Sequence, residues 1–461
     1  MNYQAALDWI YSFIPSEQPI AVAYSPHRYK LERMERLLAR LGDPHKKFRS
    51  VHIAGTKGKG STAALIESIL RANGIHTALY TSPHLHSFRE RMRVGGEMIS
   101  QSEVATRAEK LFPLIAQIEG ITTFEIITAL AFDYFAAQNV DIAVVEVGLG
   151  GRLDATNVIQ PLVSVITSIS FDHMAILGDT LEKIAREKAG IIKPRTPVII
   201  APQRAEARLV FETVAREREA ELFAVESFLK FQIHNSTFVI RSVEKNLDYQ
   251  TLRLEQTSNL QPPTSNIQSP ITSYQLPLLG HHQLTNAATA RAAIETLRAR
   301  GIAISDAAIR DGIAQVKWAG RFEILGRAPY WIVDGAHNAD SAHQLIATLR
   351  DYFPRAPLHF IFGASSDKDV AGMFAEILPS AASLTLTRSI HRRATEPARL
   401  ADLAEKFRVE MNRAADVETA IRDVSARAQR ADVICVTGSL FLVGAAREIW
   451  CAARGIALEK D

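Results

Sequence analysis

Between residues 50 and 200 the chain alternates short β-branched runs with amphipathic helical patterns: SVHIAG, STAALIESILRANG, TALYTS, DIAVVEVG and VSVITSI. Parallel strands need crossovers of a dozen or more residues, and strands covered by helices on both faces read as unbroken apolar runs. The rhythm predicts a mostly parallel α/β sheet with ligands at the carboxyl ends of its strands. It pauses over residues 225–254, where alternation such as KFQIHNSTFVIRS predicts antiparallel strands. Residues 255–273 follow, polar and with three prolines, and are expected to form a mobile loop between strands. Helices are expected from Asn286 to Arg298 and around Ile309, Ile313 and Val316, which share one face. After Trp318-Ala319-Gly320 the strand–helix alternation restarts with YWIVDGAHN, LHFIFGA, SLTLTR and DVICVTGSL. Two units are expected, 1–316 and 317–461.

Composition narrows the function classes. With 47% apolar residues the 461-residue chain can bury two or three cores, and 53 Lys+Arg against 50 Asp+Glu is too even for a nucleic-acid coat or a polybasic membrane anchor. Small-molecule partners are expected, with no nucleic acid and no membrane. Two cysteines, Cys435 and Cys451, make no disulfide framework, and no apolar run reaches the ~18 residues of a span. A cytoplasmic protein is expected.

The strongest local signal is Gly55-Thr56-Lys57-Gly58-Lys59-Gly60-Ser61, between a strand and a helix. Glycines there let backbone N–H groups converge on an anion, and the helix N-terminus adds positive potential. Lys59 would neutralise the β/γ-phosphates of a nucleotide and the Ser61 hydroxyl would ligate Mg²⁺. The string departs from G-x-x-x-x-G-K-[ST], and its competing reading is a plain βα turn. Glu146 ends the apolar run IAVVEV; an unpaired buried carboxylate costs several kcal/mol, so it should meet a cation or a cleft. His173 follows VSVITSIS, and Lys188 falls in the last turn of an amphipathic helix, where it could equally cap the dipole. Arg321 is a candidate phosphate clamp, or else one half of a surface ion pair. Asp334 and His337 lie in a strand-to-helix turn, and Ser439 precedes the last helix, where N–H groups could hold a carboxylate. Arg89, Arg91 and Arg93 could meet an anionic substrate or form a solvated run.

In order, HIAGTKGKGST, TSPHLHSFRERMRVGG, TFEIITALAFDYF, VVEVGLGGRLDATN, SISFDHMAILGDTLEKIAREKAGIIKP, GHHQLTNAATA, WAGRFEIL and VDGAHN resemble the folylpolyglutamate synthase and dihydrofolate synthase family of the Mur ligase superfamily, over about Tyr24 to Ala446. The resemblance implies a P-loop-type ATP-binding domain over 1–316 and a smaller Rossmann-like glutamate-ligase domain over 317–461. It implies ATP-dependent amide formation between a pteroate or folate carboxylate and L-glutamate, through an acyl phosphate. Residues 55–61 (Gly55, Thr56, Lys57, Gly58, Lys59, Gly60 and Ser61) would cradle ATP. Ser61, Glu146, His173 and Lys188 would hold two Mg²⁺ ions, with Lys188 as a carbamate, and a monovalent cation could accompany them. Asn286 would lie near the base, Arg321 on the phosphates, Asp334 and His337 as a pair near the ribose of ATP and the incoming glutamate, and Ser439 near the glutamate.

By the same resemblance Ser82, Pro83, His84 and Arg89, with Asp154 and Thr156, would seat the pterin, and Ser25 and Pro26 would border that pocket. The segment Gly151–Asn157 resembles bifunctional bacterial members, and a monomer is the family's default. Lys57 stands where many bacterial members have Asn, and the loop at 255–273 is longer than expected. The competing readings are a chain-extending enzyme only, a Mur-type ligase for another carboxylate, and an inactive nucleotide-binding module. The last would lack Lys59, Glu146, His173 or Arg321, and all four are present.

Overall fold

The computed structural model describes residues 1–14, 30–226, 229–258, 271–391 and 393–461. Its first sheet has eight strands: β1 (Arg49–Ala54), β2 (Thr77–Tyr80), β3 (Met92–Val94), β4 (Glu97–Met98), β5 (Ile142–Glu146), β6 (Val163–Ile166), β7 (Val198–Ile200) and β8 (Leu222–Ala224). Their spatial order is β4-β3-β2-β5-β1-β6-β7-β8. All pairs from β2 to β8 are parallel, and β3 and β4 add an antiparallel edge. β1 lies between β5 and β6, so the turns after all three open on one edge of the sheet.

Apolar residues cover both faces, as the unbroken runs require. One face packs against helices 59–72, 281–299 and 306–315; the other packs against helices 3–12, 31–40, 101–115 and 123–137. The helix Lys59–Ala72 is buried without interruption from Ser61 to Leu70. Its partner helix comes so near that a Cβ on Gly312 would stand 2.4 Å from the Ile69 Cα, and Ser68 Oγ donates to the Gly312 carbonyl at 2.7 Å.

A second, antiparallel sheet comprises β9 (Lys230–Ile233), β10 (Ser236–Lys245), β11 (Gln250–Ser258) and β12 (Ile271–Leu276), in the order β12-β11-β10-β9. The expected loop at 255–273 is therefore corrected at both ends. Residues 255–258 and 271–273 are strand, paired through Glu255 and Ile271, because the polar alternation there is an exposed sheet edge; residues 259–270 lie outside the described residues. The helix expected from Asn286 begins earlier, at His281, and Val316 ends the next helix in an extended conformation.

The third sheet, β13 (Glu323–Arg327), β14 (Tyr330–Val333), β15 (Leu358–Phe362), β16 (Ser383–Leu386), β17 (Glu410–Arg413) and β18 (Val433–Thr437), runs β13-β14-β18-β15-β16-β17. It is parallel except for the β13–β14 pair. β18 inserts between β14 and β15, so the turns after these three strands converge at a topological switch point. Among the described residues no helix is long and apolar enough to cross a membrane.

Gly312→Ala forces a methyl group into the Ile69 backbone. The expected cost is about 1–3 kcal/mol, read as a lowered thermal midpoint; an unchanged midpoint would show that this helix pair is not tightly seated.

Candidate active site

The phosphate-type loop is shaped by what stands around it. A Cβ on Gly55 (φ +148°) would lie 1.8 Å from Thr167 Oγ1, one on Gly58 (φ +83°) 2.2 Å from Asn286 Oδ1, and one on Gly60 2.7 Å from the Trp318 ring. The Thr56 and Lys57 N–H groups both donate to the Ser168 carbonyl, at 2.9 and 3.1 Å, and the Thr56 hydroxyl donates to Ser170 O at 3.2 Å. These two amides pin the loop to the segment after β6 and are not free for an anion. The helix that Gly58 begins has no side-chain cap. Its first-turn amides have no carbonyl a turn earlier to reach, and they are the donors left for an anion.

Behind the loop two ionisable groups are taken out of water. Glu146, at the end of β5, accepts the Ser82 N–H at 3.1 Å. Burial raises its pKa, while Lys59, Arg321 and Arg91 pull it down. The Lys188 amine donates to the Gly55 carbonyl at 2.8 Å, and burial pushes its pKa down to about 7, with Lys59 adding to the shift. The Ser61 hydroxyl is buried beside them on the first turn of the helix. His173 is in a left-handed conformation and is exposed, its Nε2 3.8 Å from Asp172 Oδ1.

Asp172, which the sequence reading missed, is the hub between the two halves of the chain. Lys57 Nζ lies 3.3 Å from its Oδ2, Lys368 Nζ 3.2 Å from its Oδ1, and Asn338 Nδ2 donates to Oδ2 at 3.4 Å. His337 Nε2 is 3.6 Å away. The ring of His337 has Nδ1 2.8 Å from the Gly335 carbonyl and Nε2 3.3 Å from Lys57 Nζ; the Lys57 charge, then desolvation, lowers its pKa to about 4. Although the Asp172 carboxylate is desolvated, its cationic neighbours hold it far below the usual carboxylate range. Lys57 itself is lowered by burial to about 8.

Across the cleft Arg321 is placed by its turn: a Cβ on Gly335 would lie 2.2 Å from Arg321 Nη1, and that nitrogen donates to Gly320 O at 3.3 Å. Asp334 accepts the Phe322 N–H at 2.8 Å and the Ala336 N–H at 2.9 Å, so it shapes this turn. Ser439 Oγ caps its helix by accepting the Leu442 N–H at 3.2 Å; the preceding Gly438 N–H binds Ala336 O, which brings the β18 turn beside the β14 turn.

Three residues expected at the substrate make their contacts within the chain. Asp154 and Thr156 are buried and saturated. Asp154 accepts the Leu149 and Thr156 N–H groups and the Thr156 hydroxyl, and Thr156 Oγ1 meets His52 Nε2 at 2.9 Å, so both hold the 148–157 turn from within. Arg89 donates to Glu459 at 2.8 Å and to Ile99 O, while its buried Nε has no partner. Asp461 takes the Ser87 hydroxyl and the Phe88 N–H, each at 2.6 Å, so residues 459–461 clasp this loop. Pro83 and His84 do line the cavity between the halves, with His84 Nδ1 accepting from Arg91 Nε at 2.9 Å. Ser25 and Pro26 lie outside the described residues.

Comparison with known proteins settles the family. Residues 53–294 match the Mur ligase middle domain and 320–440 the Mur ligase glutamate ligase domain. The chain is 35% identical, over 91% of its length and 94% of the relative's, to the dihydrofolate synthase/folylpolyglutamate synthase of Bacillus subtilis. The chain belongs to the folylpolyglutamate synthase/dihydrofolate synthase family of Mur ligases. Escherichia coli FolC in complex with DHPP and ADP superposes with a TM-score of 0.81 at 30% identity, covering 98% of this chain and 99% of that one. The chain spans about half the length of a Haloferax volcanii relative, a probable bifunctional folylpolyglutamate synthase/dihydropteroate synthase, to which it is 35% identical over 92% of its own length. Members of this family that match over their full length are ATP-dependent glutamate ligases.

Removing the hub should open the cleft. Asp172→Ala leaves Lys57 without its carboxylate and Lys368 with only Asp367, 3.8 Å away, an expected cost on the order of 3–5 kcal/mol in thermal or denaturant unfolding. A loss within the ±0.5 kcal/mol of an ordinary surface site would show that the hub carries no load.

Proposed function

We propose that the chain joins the carboxylate of dihydropteroate, and then of folates, to L-glutamate at the expense of ATP. The observation that carries this reading is the meeting of an uncapped, glycine-shaped helix N-terminus on one half with groups of the other: His337 Nε2 lies 3.3 Å from Lys57 Nζ, and the Arg321 charge acts on Glu146. A carboxylate is a poor electrophile. Transfer of the γ-phosphoryl group to a carboxylate oxygen gives an acyl phosphate and ADP; the glutamate amine then attacks the carbonyl carbon, and phosphate leaves with the C–O electron pair while the amine releases a proton. Lys59 and the first-turn amides hold the β/γ-phosphates, and Arg321 neutralises the charge that builds on the transferred group. Asn286, beside Gly58, borders the base, and Asp334 fixes the turn that carries Arg321. His337, with Ser439 beside it, borders the amino acid. We read the chain as two domains, 1–316 and 317–461, closing to keep water from the acyl phosphate, in a monomeric cytoplasmic enzyme.

The donor set fits Mg²⁺. Among the described residues no three His, Cys, Asp or Glu side chains gather into a cage, and Mg²⁺ characteristically uses one or two carboxylates together with waters and substrate phosphates. Ser61 and Glu146 would hold one ion and His173 with a carbamylated Lys188 a second, and the charge they supply would stabilise the phosphoryl group in flight. Lys188 suits carbamylation because its lowered pKa leaves much of the amine neutral and nucleophilic at pH 7. Nothing in the residues calls for a monovalent cation.

Glu146→Gln is expected to lower kcat about 10²–10³-fold, measured as ADP release with dihydropteroate and separately with tetrahydrofolate, each with and without L-glutamate. Consumption of tetrahydrofolate but not dihydropteroate by the unaltered chain would make it a chain-extending enzyme only. With ¹³C-bicarbonate, a carbamate resonance that Lys188→Arg removes is expected; its absence at pH 7–8 would remove the modification.

A further inference from the structure

The cleft extends well past the groups that face the phosphates. A cavity of about 680 Å³ lies between the two halves of the chain, lined along the helix Lys59–Ala72 by Ala64, Ser68 and Arg71, which share one face. At its inner end are Arg321 and Trp318, whose ring covers Gly60. At its outer end is the β3–β4 edge, with Arg93 and Gly96. From Ala64 to Arg71, the part of the helix that lines the cavity, the helix climbs about 10 Å. The cavity therefore runs outward past the length of one incoming amino acid.

Its charges are unevenly committed. Glu67 already takes Arg71 Nε at 3.0 Å and the Thr77 hydroxyl at 2.7 Å. Glu90 accepts the N–H groups of Leu85, His86 and Ser87, and Glu459 holds Arg89. Glu97 is exposed on the rim. On the cationic side, Arg93 is half-buried and donates only to the Gly96 carbonyl, at 3.2 Å; among the described residues neither it nor Lys317 has an ion-pair partner. The groove thus presents two cations without ion-pair partners, Arg93 at its outer end, where Glu97 shares the rim, and Lys317 at the junction of the two halves.

We propose that this groove holds the glutamyl tail of the folate substrate, with Arg93 and Lys317 receiving the free carboxylates of residues already added. The inference rests on the ligase reading above. In that reaction the terminal carboxylate must reach the phosphate loop, so everything added earlier lies outward of it. Each residue already added leaves one free carboxylate, whichever of its two carboxyls was joined. Dihydropteroate has no such group, whereas a triglutamate tail has several. Arg93 and Lys317 are therefore specificity-determining residues for tail length and take no part in the chemistry.

The test compares three acceptors, dihydropteroate, tetrahydrofolate and tetrahydrofolate triglutamate, in Arg93→Ala/Lys317→Ala. The specificity constant for the triglutamate should fall tenfold or more relative to that for dihydropteroate, through KM, and Arg93→Lys should recover most of it. Calorimetry with a pteridine-free γ-linked triglutamate should show binding that weakens with salt and is lost in the double variant. Equal losses for all three acceptors, or equal peptide binding by both proteins, would overturn the tail site. Absence of ADP release by the unaltered chain with every acceptor would sink the ligase reading instead, and the peptide arm would still judge the groove.

Discussion

The architecture depends on keeping charged groups dry at the carboxyl ends of parallel strands. Glu146 on β5 and Lys188 behind the glycine loop would each be solvated and ordinary on a surface. Held beneath the loop, the carboxylate is pushed up and the amine down, so each is poised to accept a partner of the opposite character. The sheet makes this possible, since β5, β1 and β6 are neighbours and their following turns meet at one edge. The burial of the helix Lys59–Ala72 fixes the remaining coordinate, because a helix packed on all sides cannot shift its N-terminus.

A second consequence is that polar contacts join the two halves of the chain across a cleft, beside apolar ones such as Leu85 and Leu279 against the cores of the second half. Asp172 on one side meets Lys368 and Asn338 on the other, with Lys57 completing the group. Charge pairs in a cleft can be exchanged for pairs with a charged substrate, which apolar contacts cannot. A ligase that must admit an anionic acid and an amino acid, then exclude water, needs such a seam.

Much of this was legible in the residues. The parallel sheets show themselves because strands covered on both faces must be apolar throughout, and IAVVEV and VSVITSI are. The glycine loop is legible because Gly55 and Gly58 occupy backbone conformations other residues resist. The antiparallel sheet was only half legible: β12 is mostly exposed and lies beyond a polar stretch, so its alternation reads as loop. The internal partners of Asp154, Thr156 and Arg89 were hidden for a related reason. A polar residue in a motif can serve the site by bonding to its own turn or to residues far along the chain, and spacing does not distinguish that from contact with a ligand. Asp172 was missed although it adjoins His173, because its partners Lys368 and Asn338 lie more than 160 residues away in the sequence. The clasp of Asp461 on Ser87 has no local signal at all.

The central claim is that an acid group is made reactive by phosphorylation on its own oxygen. The most direct measurement supplies dihydropteroate labelled with ¹⁸O in both carboxylate oxygens, together with ATP and L-glutamate, and weighs the inorganic phosphate released. One ¹⁸O per phosphate is the expected result. Amide product accompanied by unlabelled phosphate would contradict the mechanism.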